Sequence, residues 1–369
     1  MLNTTFALYI QELGGSEAVA GLVAWMFSLA SVSMRPILGW MLDKIGRGAI
    51  LLVSLAGLIL LPAAYSFVNL LWLAIALRIL HGMVWSGAPA ASNTAACDVI
   101  PKARFAEGMG IFGTGAAVSM AVGPLLGIAL WEHAGQKMMF WTSSLFMLAS
   151  LLIAIFAFIP VEKKVVLKKD EQRPRLLSLV EKTAIPASFT LMLFNMPYGC
   201  IVSFIALYGI ESGIGSGGLF FALMAGTTVL TRLFFGGLAD KRGELPIVIG
   251  GNLCVLIALL LLAFGGGKTA FMLSALIYGL GFGIMPPTMQ ALAMRNAAPQ
   301  RRGAASATFL CAFDIGIGLG GLIAGMLIDL IGYNVTFLCM IAFLIISVAL
   351  FVRWADKTNS RGHISEAVD

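Results

Sequence analysis

The 369-residue chain is 59% hydrophobic and 11% charged, with a mean hydropathy of +0.95 and a formal net charge of +6. Soluble domains carry roughly 25% charged residues, so this chain has too little polar surface to face water over a whole fold. Hydrocarbon admits only helices and closed barrels, and long unalternating apolar runs such as 49–67 and 335–352 exclude the alternating strands of a barrel.

Taken in chain order, residues 1–10 are apolar but span half the length a membrane crossing needs. No charged n-region and no small-residue cleavage site marks them as a signal peptide. They read as the outer half of a helix whose beginning is missing, through a start placed too late or a truncated gene. Full spans are predicted at about 18–41, 49–67, 70–96, 107–131, 138–159, 184–208, 217–239, 246–264, 269–293, 304–330 and 335–354. The expected organisation is an N-terminal helical half (1–159), a polar linker (160–183), a C-terminal helical half (184–354) and a short tail (355–369).

Of the 24 Lys and Arg, 19 fall in alternate connections: around Lys44 and Arg47, Lys102 and Arg104, the 160–183 linker, Lys241 and Arg242, Arg295 to Arg302, and the tail. The opposite connections hold Lys137 and Lys268. The positive-inside rule therefore predicts a cytoplasmic linker and tail in a multi-pass protein of the cell's inner membrane. The basic charge reads as topology rather than as a nucleic-acid footprint, and the linker charge as a solvated connection resting on anionic lipid.

Arg35, Gly39 and Asp43 lie four apart on one helix face near a cytoplasmic end, followed by Lys44, Gly46 and Arg47. Arg35–Asp43 pairing is possible there, against the plainer reading of a charged stop at the membrane edge. The pattern recurs at an offset of 197 as Arg232, Gly236, Asp240, Lys241 and Gly243. The same offset joins Gly82 to Gly279 and Pro89 to Pro286; at 198, Gly123 meets Gly321 and Gly127 meets Gly325. One shift sustained this far indicates duplication, and paired halves around a mid-membrane site are the plan of many secondary transporters.

Three interior charges remain. Arg78 lies eight residues into a span with no carboxylate near it in sequence, and Asp314 lies in a glycine-rich helix where its repeat counterpart is Ala116. Charge at such depth is a functional hypothesis by default, with structural pairing as the plainer alternative. Asp314 is a candidate to bind and release a proton. The third, Arg232, belongs to the repeated motif. Asn3, Asn93, Asn195 and Gln290 place polar groups in the first, fourth, seventh and tenth helices, and Trp85, Tyr198, Phe194 and Met285 offer apolar walls. Each alone fits an interhelical hydrogen bond or core packing equally well. Cys97, Cys200, Cys254, Cys311 and Cys339 are scattered, and no metal spacing, Walker A pattern or nucleophile elbow is present. No cofactor, metal or catalytic residue is expected.

These residues resemble the major facilitator superfamily, and within it the drug:proton antiporter-like group. Gly39 through Arg47 resembles the loop signature between its second and third helices. Arg78-Ile-Leu-His81-Gly82 resembles its fourth-helix motif, which usually has Gln where this chain has His81. Gly110, Gly123, Pro124 and Gly127 resemble the fifth-helix antiporter motif, with Ser119 and Ile128 standing where that motif has Gly. The resemblance implies an all-α membrane fold of two six-helix halves, here with the first helix partial and about eleven full spans. It implies a gating role for Asp43, a part for Arg78 in proton coupling, a cavity lined by helices 1, 4, 7 and 10, and a monomer. The expected function is alternating-access transport of a small molecule, with proton-coupled efflux ahead of proton-coupled uptake and of a non-transporting sensor or remnant.

Overall fold

The computed structural model describes residues 1–100, 105–158, 180–215, 217–235, 243–295, 297 and 302–366. Gly236, Asp240 and Lys241, most of the linker and the last residues of the tail lie outside the described residues, as do the side chains of Asp43 and Lys44 and those beyond Trp354. Among the described residues the elements are α1 (Leu2–Glu12), α2 (Glu17–Ile45), α3 (Arg47–Tyr65), α4 (Leu71–Trp85), α5 (Gly87–Val99), α6 (Phe105–Phe158), α7 (Ile185–Glu211), α8 (Gly218–Phe235), α9 (Glu244–Phe264), α10 (Gly267–Arg295) and α11 (Arg302–Glu366).

Among the described residues, eight helical stretches are long and apolar enough to cross a bilayer. Two of them are double. A straight 54-residue α6 would reach about 81 Å, far beyond the roughly 30 Å of hydrocarbon. It breaks at Gly135 (φ 79°, ψ 168°), and α11 breaks at Gly332 (φ 76°, ψ 172°). Only glycine adopts that backbone cheaply. Both limbs of α6 pack beside α1: Gly123 and Gly127 of the first abut Met1, while Met139 of the second accepts a 3.7 Å contact from Thr5. Both limbs of α11 likewise pack on α7, Gly316 against Met192 and Ser347 through a 2.9 Å hydrogen bond to the Thr190 carbonyl. Counting the limbs separately and adding the shorter apolar helix Gly218–Arg232 gives the eleven spans expected from the sequence.

The glycines at the breaks carry the duplication into the backbone. Gly135 and Gly332 are 197 residues apart, and so are Gly46 (φ 107°) and Gly243 (φ 78°), which join α2 to α3 and precede α9. The span expected at 70–96 is one apolar stretch, Leu71–Ala96, interrupted at Ser86 between α4 and α5. Pro89 has no N–H to give the carbonyl of Trp85, so the helical ladder ends there.

α7 has apolar residues all round and is buried along almost its whole length, from Ala187 to Gly209. It is the central helix of the C-terminal half, lying against α11, α10 and α1. The outer faces carry bare apolar side chains, including Trp72 (81% exposed) and Phe156 (78%). Such surface is costly in water and natural in lipid.

Candidate functional site

The two halves meet along an antiparallel seam between α2 and the first limb of α11. At one end Asp329 accepts the N–H of Ala18 (3.1 Å), so a carboxylate of the C-terminal half caps a helix of the N-terminal half. Beside it Gln11 donates to Glu17 (2.6 Å). Further along, small residues let the backbones touch. A Cβ on Gly21 would lie 2.4 Å from the Gly321 carbonyl oxygen, and one on Gly325 would lie 2.4 Å from that of Glu17. A Cβ on Gly318 would meet the Ser28 side chain at 2.5 Å. Contacts thus run from Glu17 to Arg35, about 27 Å of helix.

The deepest contact is an ion pair. Arg35 Nη2 bonds Asp314 Oδ2, and the same oxygen accepts from Ser31 Oγ at 3.4 Å. The side chains are 10% and 19% exposed. Two opposite charges held this far from water attract strongly, but each is expensive to strand alone. The sequence offered Asp43 as a partner for Arg35; the Asp43 side chain lies outside the described residues, and among these Arg35 pairs with Asp314, across the seam. Helical spacing favoured the local partner, whereas packing of the halves brings a residue 279 positions away into reach.

Arg78 forms the second center. It is 2% exposed, and its guanidinium lies 4.2 Å from the centroids of both the Phe6 and Phe27 rings. Gly82, one turn on, makes this possible: a Cβ there would sit 2.3 Å from the Phe27 carbonyl oxygen, so only glycine allows α4 this close to α2. Arg78 Nη2 donates to Asn3 Oδ1 (2.5 Å), while Nε and Nη1 have no hydrogen-bond partner. Tyr65, which contacts His81 at 3.5 Å, also stands within hydrogen-bonding reach of the arginine. A small crevice between the halves is lined by Asn3, Phe6, Arg78 and, from α7, Ser203.

The remaining predicted residues fall into separate places. Asn195 is wholly buried on α7 with neither side-chain polar atom bonded, and Tyr198 stacks on Phe282 at 4.3 Å between centroids. Gln290 is exposed on α10, Trp85 is 37% exposed on α4, and Asn93 is half-buried on α5. Arg232, in the last turn of α8, is within electrostatic reach of Tyr198 and leaves its Nε unpaired. Gly39 lies within α2, Gly46 and Arg47 at the α2–α3 corner, Gly110 and buried Pro124 on α6, and Gly243 at the start of α9. Sequence reasoning missed Ser31, Asp329 and the phenylalanine pair around Arg78. Asp329 carried a usable signal, a lone acid at a helix end; the aromatic pair carried none.

The sequence profile described as "Major Facilitator Superfamily" matches residues 1–321. Among curated relatives, the uncharacterized MFS-type transporter YhhS of Escherichia coli K12 is 25% identical over 369 residues, covering 97% of this chain and 89% of that protein. Multidrug resistance protein MdtG of Dickeya zeae is 26% identical, with 98% and 91% covered. The staphylopine export protein of Staphylococcus aureus is 21% identical, with 96% and 91% covered. Among solved structures, the nucleoside transporter NupG superimposes with a TM-score of 0.74 at 14% identity, covering 96% of this chain and 94% of that one. The human organic anion transporter MFSD10 (TETRAN) gives 0.67 at 20% identity, with 90% and 83% covered. At these identities the structures speak for the fold alone.

Proposed function

Since the chain belongs to the major facilitator superfamily, we propose that it exports a small molecule by alternating access in exchange for protons, with Asp314 as the titrating group. The observation that carries this reading is the Arg35–Asp314 pair in the seam between the halves. The staphylopine export protein and the multidrug resistance protein MdtG among its relatives support the direction. The charge asymmetry of the connections supports an orientation with the Glu17 end of the seam outside and the linker in the cytoplasm.

In this mechanism the conformation described is the one closed to the outside. When the seam opens, Asp314 loses Arg35 and takes up a proton from the external face. Closure returns the Arg35 guanidinium to Asp314, and the proton leaves toward the cytoplasm. Ionised Asp314 then holds the seam shut through Arg35 and Ser31. Substrate entering from the cytoplasmic side supplies the free energy that breaks this contact and reopens the seam outward. A ligand can shift such an equilibrium only by its differential affinity for the two states. Arg78 contributes a fixed positive charge beside the path. Asp43 and Asp240 set the balance at the cytoplasmic ends. The protein works as a monomer within the bilayer.

Everted membrane vesicles energised to an acid interior test this. Recovery of a pH-dye signal on adding substrates from a panel of cationic, neutral and anionic compounds is expected in the wild type and lost in Asp314→Asn. Equal recovery in both would remove Asp314 as the coupling group. Proton movement in the same direction as substrate would replace export with uptake.

A further inference from the structure

Arg35 and Arg232 are mates in the repeat, and each stands on a helix that packs against the other half, α2 on α11 and α8 on α6. Arg35 meets Asp314. The repeat positions of Asp314 on α6, at offsets of 198 and 197, are Ala116 and Ala117. Arg232 accordingly meets no carboxylate among the described residues; its Nε is without a hydrogen-bond partner, and Tyr198 is the group within its electrostatic reach. One seam between the halves thus holds a group that can gain and lose charge. The other holds a guanidinium, which cannot.

The rest of the chain supplies no second carrier. Of the 18 Asp and Glu, Asp314 alone lies well inside an expected span. Glu107 and Asp329 stand at the ends of theirs, and the others fall in connections, linker or tail. Around Asp314, α2 presents Arg35 and Ser31, its own helix presents the Cys311 thiol, and α7 lies against the next turn with Met192 and Asn195. Only the carboxyl among these changes charge between about pH 5 and 8. His81 is buried within electrostatic reach of Arg78, so a second cation there would be repelled. Glu17 and Asp329 stand within hydrogen-bonding reach of each other at one mouth of the seam. A proton exchanged there leaves by the face it came from and is not transported.

We propose that each transport cycle moves a single proton, carried by Asp314, and that the α2–α11 seam alone answers to it. The proposal rests on the transporter reading above and fixes the coupling of its site. Exchanging one proton for one neutral molecule moves a charge, so membrane potential and pH gradient both drive it. Exchange for a monocation moves none, and the pH gradient alone then limits accumulation to about tenfold per pH unit.

The number of protons is measurable without a substrate. By linkage, the slope of the logarithm of the open-to-closed ratio against pH gives the protons taken up on opening. Spin labels at Leu70→Cys and Ile210→Cys, exposed positions in opposite halves, report that ratio for the full chain in nanodiscs from pH 8.5 to pH 5. Glu17→Gln serves as background, because it takes the carboxyl pair at the mouth out of the titration. The ratio should rise toward acid by no more than about tenfold per pH unit at its steepest, and adding Asp314→Asn should flatten it. A rise of about a hundredfold per pH unit that falls to about tenfold in Asp314→Asn would overturn the single proton and leave Asp314 coupled. A ratio that does not move with pH would overturn proton coupling together with the count. The slope with Asp314 present decides between one proton and two even if Asp314→Asn fails to fold.

Discussion

Substitution of Gly21 by alanine is predicted to wedge the seam open at its Glu17 end. The added Cβ would stand 2.4 Å from the Gly321 carbonyl oxygen and 3.2 Å from Gly325 Cα, against an ordinary contact distance beginning at 3.4 Å. The obstacle is backbone on both sides, so no side chain can swing aside, and the helices must separate by about 1 Å. Overpacking of this kind costs about 1–3 kcal/mol. The cost falls only on the state in which the seam is closed, and therefore changes the ratio of closed to open forms by roughly 5- to 150-fold. Spin labels at Leu70→Cys and Ile210→Cys, two exposed positions near that end in opposite halves, would report the change as a growing long-distance population. Gly320→Ala is the control. Its Cβ would lie 2.0 Å from the Met196 carbonyl oxygen, inside the C-terminal half, so it should lower thermal stability without moving the label distances. An unchanged distribution in Gly21→Ala would refute the claim that this contact decides which side is open.

Three further outcomes are expected. Arg35→Gln and Asp314→Asn should each lower the unfolding temperature in nanodiscs, a break worth about 3–5 kcal/mol; the double variant should lose less than the sum, because each single change strands the other charge. Asp329→Ala removes the cap on Ala18 N–H, should cost about 0.5–2 kcal/mol, and should raise the long-distance population between the same labels. Tyr9→Phe loses the 2.9 Å hydrogen bond to the Val68 carbonyl, should destabilise by about 1 kcal/mol, and should leave the label distances as they are.

The fold was largely legible because its determinants are local. A run near 20 apolar residues is a helix in lipid whatever its neighbours do, and the repeat is visible in the positions of Arg, Gly, Asp and Pro. The Ser86 break shows the limit of that reading: Pro89 was seen, but its effect on the Trp85 carbonyl appears only once the helix is built. The site was legible as a set of isolated interior charges and not as an arrangement. Arg35 and Asp314 stood out singly, yet the local alternative, Asp43, was nearer in sequence. The glycines that bring α2 onto α11 and α4 onto α2 read equally well as ordinary packing residues. What distinguishes Gly21 or Gly82 is which carbonyl lies opposite, and that is a property of two helices together.

The most direct test of the coupling is the pH dependence of the seam itself. Distances between labels at Leu70 and Ile210, and between Val99 and Leu245 toward the opposite end, would be measured in nanodiscs from pH 8.5 to pH 5, in wild type and Asp314→Asn. Protonation of Asp314 removes its attraction for Arg35, so acid should lengthen the first distance and shorten the second in the wild type. Asp314→Asn should resemble the acid form at every pH. A pH response in Asp314→Asn equal to that of the wild type would contradict the account, because the proton would then be acting elsewhere.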